Sequence, residues 1–164
     1  MAAPVLIFAI GNESRGDDAI APLLLRKLAA WLEKQHMAGQ FELLEDFQLQ
    51  VEHAADMDGR ELVLFIDAGM DTPAPWSFYR ARGNDSRALF SHAITPEGVL
   101  STYLQVYRKD PPPAFVLCIR GERFELGESL SPKAEQHMGS AIKLSQELLQ
   151  NAAAPLWEKQ LSAT

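Results

Sequence analysis

Two hydrophobic periodicities divide this chain. Residues 4–10 (PVLIFAI), 61–67 (ELVLFID) and 114–120 (AFVLCIR) are nearly continuous apolar runs rich in branched side chains, the pattern of strands buried on both faces. Residues 41–46 read as a further strand, and residues 76–81 alternate well enough for a strand nearer a sheet edge. Between the first two strands, Ile20, Leu23, Leu24, Leu28, Trp31 and Leu32 recur at helical spacing, which predicts a helix over residues 17–34. Asp17 and Asp18 at its head suit the positive end of a helix dipole. Pro22 is tolerated only in a first turn, so the regular helix starts a few residues after Asp17. Residues 51–57 read as a short helix. Pro96 sits at a favoured first position of a helix over residues 96–107, which the three prolines 111–113 terminate. Ser131-Pro132 opens a long helix that runs to about Leu149.

Strands alternating with helices predict one α/β domain over residues 1–151, followed by a weakly patterned C-terminal tail over residues 152–164. The expected architecture is a three-layer α/β/α sandwich around a mostly parallel sheet. At 164 residues and 47% hydrophobic content the chain buries one good core, so one active site is expected. The formal net charge is -7 and the basic residues are scattered, which excludes a phosphate-tracking stripe and makes nucleic acid an unsuitable partner. Cys118 is the single cysteine; it excludes an internal disulfide and a multi-cysteine zinc site and fits a reducing compartment. Residues 1–10 carry no basic segment ahead of their apolar run, and no stretch approaches the roughly 20 apolar residues that span a bilayer. A cytoplasmic protein without a membrane segment is expected, and a monomer, since no heptad seam is present.

Ligands of open α/β sheets bind outside the carboxyl ends of the strands, and that rule selects the candidate chemistry. Asp17 and Asp18 follow the first strand across the loop of residues 11–16, Asp67 ends the ELVLFID strand, and His92 lies in the polar loop of residues 82–95. Two carboxylates and an imidazole are a donor set suited to a borderline divalent metal such as nickel or zinc. Each has a plainer reading. The paired acids also suit a helix cap, Asp67 suits a turn with Gly69, and a lone loop histidine is often only a surface residue. His36 and His137 read as structural, and His53 is a weaker candidate. Cys118, inside AFVLCIR, reads as a small buried apolar group without a base beside it. No G-x-S-x-G, H-E-x-x-H or P-loop motif is present, and the two glycines of GNESRG have the wrong spacing for a dinucleotide fingerprint.

Four blocks, in order, resemble the hydrogenase maturation endopeptidases: IGNESRGDD ahead of an amphipathic helix, EDFQLQVEHAADMDGRELVLFIDAG ending in an aspartate after a buried strand, SHAITPEGVL with its histidine, and FELGESLSP before the last helix. The resemblance covers residues 5 to about 149. It implies a twisted five-stranded sheet flanked by helices, and an endopeptidase that removes the C-terminal extension of a nickel-iron hydrogenase large-subunit precursor after nickel insertion. Residue by residue, it implies that Asp18 and Asp67 are the two acidic metal-contacting positions and that His92 is the histidine. Some members place the histidine directly after the proline of the third block, where this chain has Glu97; in that register Glu97 is the third ligand. Ala9, Ala19 and Ala21 stand where many members have glycine.

With no activated nucleophile in view, direct attack by water is the simpler chemistry, with Asp17 or Asp18 as base and with Asn12 and the amides of the Gly11 loop steadying the oxyanion. Nickel is expected to arrive with the substrate as a recognition element, and no organic cofactor is implied. The rival readings are a non-catalytic chaperone for the nickel-loaded subunit and a small-molecule hydrolase on the same sheet edge.

Overall fold

The structure, a computed structural model, describes residues 2–83 and 94–163. Five strands form one sheet in the order β2-β1-β3-β5-β4: β1 (Val5–Ile10), β2 (Phe41–Asp46), β3 (Leu62–Gly69), β4 (Trp76–Ala81) and β5 (Ala114–Arg120). The first three and β5 are parallel, and β4 runs antiparallel along one edge. All six residues of β1 are buried, as a continuous apolar run at the sheet centre requires. Parallel pairing forces each connection to cross a face of the sheet, and the helices that do so make the two outer layers.

One face carries α1 (Ile20–Lys34) and α3 (Pro132–Gln150), whose apolar stripes meet Ile7, Leu64, Ile66, Phe115 and Leu117. The other is covered by a 3-10 helix, Val51–Met57, and by α2 (Pro96–Tyr107), which pack Met57, Val99, Leu100 and Tyr103 on Leu6, Phe8, Val63 and Phe65. Residues 17 and 18 belong to a 3-10 turn, Gly16–Ala19, and α1 begins only at Ile20, which places Pro22 in the first turn where its missing N–H is not needed. Thr95 caps α2 through Gly98 N at 3.1 Å, and Ser131 caps α3 through Ala134 N at 3.2 Å.

The C-terminal residues correct the expectation of a tail outside the domain. Residues Ala154–Glu158 form a short helix, α4, and Trp157 within it is fully buried. Its ring meets Phe115 edge-on with centroids 5.3 Å apart and Phe78 at 6.2 Å, while its indole N–H donates to the Leu148 carbonyl at 2.8 Å. Ser162 then pairs with Phe78 of β4 in both directions, through its own N–H and through its hydroxyl, each at 2.8 Å. These bonds occupy part of the outer edge of β4, which would otherwise offer unpaired amides to another chain. Five helical residues are too few to show a period, so only the tryptophan itself signalled the contact. Among the described residues no helix is long and apolar enough to cross a membrane.

Because Trp157 fills the junction of β4, β5 and α3, Trp157→Ala is expected to destabilise the fold by about 3–5 kcal/mol, read as a lower urea midpoint.

Candidate active site

The loops that follow β1, β2, β3 and β5 all lie at the carboxyl end of the parallel strands, and the candidate chemistry gathers there. The first is pinned by Gly11, since a Cβ on it would collide with the Asp18 carbonyl oxygen and press on the Pro22 ring at 3.2 Å. That close approach folds the loop back on itself. Asn12 N then donates to the Asp18 carboxylate at 2.7 Å, Gly11 N to the Asp46 carbonyl at 3.0 Å, and Ser14 N to Asn12 Oδ1 at 2.9 Å. The backbone amides of Gly11 and Asn12 are therefore taken up within the protein, which corrects the expectation that they steady an oxyanion.

β3 continues two residues past Asp67, so this acid is inside the strand and not at its last position. Along β3, Leu64 and Ile66 face α1 and α3 whereas Val63 and Phe65 face α2, and the alternation turns Asp67 to the α2 side. Strand register sets Asp67 beside Cys118 of β5, and Cys118 beside Ser77 of β4. The Cys118 sulfur lies 2.9 Å from Thr72 Oγ1, and burial, with the Asp67 charge adding to it, pushes the thiol up although the Thr72 bond opposes this. A thiol held protonated is no nucleophile.

Asp67 is mostly removed from water. Burial pushes its carboxyl up to about 7; the N–H of Ala68, 2.8 Å away, opposes the shift, and the charge of Asp18 adds to it. Asp18 is itself raised by burial, against the pull of Asn12 N–H and the Arg15 guanidinium. The charge of Asp18 thus acts on an acid of a separate segment, and among the described residues neither acid has an ion pair within 4 Å. Glu97, in the first turn of α2, and Asp67 both add to the upward shift of the Tyr79 phenol, which burial dominates. Among the described residues no three His, Cys, Asp or Glu side chains converge so as to hold a metal ion, so Glu97 does not complete a ligand set with the two aspartates. His92 lies outside the described residues.

Asp17 is the correction of most consequence. Its side chain is fully buried and points away from that pair into the loop of residues 121–131. Oδ2 accepts from Glu122 N at 2.7 Å, Arg123 N at 3.0 Å and Ser131 Oγ at 2.7 Å, and Oδ1 accepts from Ser131 N at 2.7 Å. Burial raises its pKa, but those bonds together outweigh burial and hold the carboxyl below its usual value. A carboxylate so engaged is a poor proton acceptor, so the expected role as base does not suit it. Ser131, its partner, was legible only as a helix cap. The remaining histidines are structural: His53 accepts from Gln50 N at 2.9 Å and meets Asp46 at 3.2 Å, His137 contacts the Arg120 carbonyl at 3.1 Å, and His36 takes a positive φ after α1.

No family model and no curated protein matches the chain. Solved structures do. A [NiFe] hydrogenase maturation protease, HycI, from Thermococcus kodakarensis superposes with a TM-score of 0.66 at 20% identity, covering 90% of this chain and 93% of that one. The hydrogenase maturating endopeptidase HybD of E. coli gives 0.66 at 21% identity with the same coverage, and the HybD protease of T. kodakarensis gives 0.62 at 22%, covering 88% and 98%. The chain therefore has the single-domain α/β fold of the hydrogenase maturation proteases.

Two stability measurements check this geometry. Asp17→Ala leaves the amides of Glu122, Arg123 and Ser131 without their acceptor and is expected to cost about 3–5 kcal/mol in urea unfolding. Asp67 acts in the opposite sense. The unfolded chain releases this proton near 3.8 while the folded chain keeps it to about 7. Between those values the unfolded state binds fewer protons, so stability falls as pH rises and the loss is complete above 7. Asp67→Asn is expected to raise the Tm of the metal-free protein more at pH 8 than at pH 4.

Proposed function

We propose that this protein is an endopeptidase of hydrogenase maturation that removes the C-terminal extension of a nickel-iron hydrogenase large-subunit precursor once nickel has been inserted. The observation that carries the reading is the pairing of Asp18 and Asp67 at the carboxyl end of the sheet, two partly or largely buried acids from separate segments with no cation from the described residues between them. Repulsion of this kind persists where a charged ligand relieves it, and a divalent metal is the ligand that two converging carboxylates fit. The fold shared with the maturation proteases and the four sequence blocks support the same reading.

In this reading the nickel belongs to the substrate, and His92 joins the two aspartates in engaging it. Asp18 and Asp67 would engage that ion, whose charge would favour the ionised form of Asp67 over the protonated form the metal-free protein keeps to about 7. Asp18, held by Asn12 N–H, is the acid left to accept a proton from an attacking water, since Asp17 is committed to the loop of residues 121–131. The Cys118 thiol stays protonated beside them and takes no part in the attack.

The test is mass spectrometry of the nickel-loaded precursor after mixing. Processing shortens it by the mass of its tail, and Asp67→Ala or His92→Ala is expected to abolish that shortening while leaving the circular dichroism of the fold unchanged. A precursor that binds and keeps its full mass would point to a chaperone, and normal processing by both variants would overturn the site.

A further inference from the structure

Large apolar side chains left in water are usually scattered, and a cluster of them marks a surface for another molecule. Among the described residues seven are exposed, and four of these stand around the candidate site: Phe47 on the loop after β2, Val51 at the start of the 3-10 helix that follows it, Met70 after β3, and Leu126 after β5. Their loops are bound to one another or to the loop after β1. Gly121 N donates to the Gly69 carbonyl at 3.0 Å, Gly127 N to the Ser14 carbonyl at 2.8 Å, and Phe47 lines a cavity of about 300 Å³ with Gly11, Glu13 and Pro22. The four therefore border one end of the sheet, across about 14 Å at the usual strand spacing. Phe47 and Leu126 are the most exposed, at 69% and 68%.

The charge between them is mainly acidic. Glu52, Asp71 and Glu125 are exposed on the same loops, whereas Arg26 is engaged by Glu13 and Glu45, Arg123 by Glu128, and the exposed Arg15 of the loop after β1 acts on Asp18. A second copy docking by the same face would set acid against acid on a chain of net charge -7, so self-association does not suit the rim. We infer that this rim docks the folded body of the precursor, through an apolar face of the client bordered by cationic side chains, so that the client is selected on its body as well as on its tail. The inference rests on the functional reading above. It explains why the apolar residues surround the acids, since a folded partner must seat against the rim to deliver a metal and a peptide bond to Asp18 and Asp67 together.

The experiment compares three proteins on the nickel-loaded precursor: the unaltered chain, the double variant Phe47→Asp/Leu126→Asp, and Val106→Asp, whose side chain is equally exposed but lies at the far end of α2. The double variant is expected to raise KM about tenfold with kcat retained, and Val106→Asp to change neither. Binding by the unaltered chain should weaken as salt is raised. Phe47→Ser alone, which adds no charge, should give a smaller rise in KM and keeps the test available if the double variant loses its circular dichroism signal. An unchanged KM in the folded double variant and in Phe47→Ser, an equal effect of Val106→Asp, or a dimer of this chain that the double variant dissolves while processing continues would each overturn the docking surface alone. Failure of the unaltered chain to shorten the precursor would instead overturn the functional reading, and this inference with it.

Discussion

The buried carboxylate of Asp17 ties the first loop of the protein to the segment between β5 and α3. Four donors from residues 122, 123 and 131 converge on it, and Asp17 N in turn donates to the Arg123 carbonyl at 2.6 Å. Gly16, at φ +55°, takes the left-handed conformation that lets its own N–H reach the Glu128 carbonyl at 3.1 Å, and a Cβ there would strike the Arg123 carbonyl. The latch thereby fixes where α3 starts, where the loop after β5 runs, and, one residue along the chain, where Asp18 stands. An ionised carboxylate can be buried there because every lone pair in use meets a donor, and removing it would leave several amides without partners at once.

The neighbouring acids obey the opposite rule. Asp17 is held below its usual pKa by satisfied bonds, while Asp67, two strands away in chain order, is raised because burial is offset by a single amide and aggravated by Asp18. The acids at this end of the sheet thus divide into Asp17, which stabilises the scaffold, and Asp18 and Asp67, whose burial raises their pKa values.

The same economy shapes the outer layers. α1 and α3 meet the sheet through long apolar stripes and close one face with Trp157, whereas the other face is closed by a 3-10 segment and the shorter α2, and it is there that Asp67, Cys118 and Ser77 stand in a row. The more thinly covered face is the one that leaves polar side chains near solvent at the carboxyl end.

Much of this was legible in the amino-acid order because the information was local. Strands buried on both faces read as continuous apolar runs, so β1, β3 and β5 declare themselves, and Pro22, Pro96 and Ser131-Pro132 mark helix starts through backbone constraints that act within a turn. The placing of Asp18 and Asp67 beyond or near strand ends followed from the same reading. The roles of Asp17, of Trp157 and of the Gly11 and Asn12 amides did not, because each depends on atoms supplied by distant segments: Ser131 is 114 positions from Asp17, and Ser162 is 84 from Phe78. A sequence by itself determines which residues must be buried and which turns are possible. Only the tertiary structure decides which acid finds donors and which finds another acid, since the sign of a buried carboxylate's contribution depends on the groups packed against it and not on its neighbours in the chain.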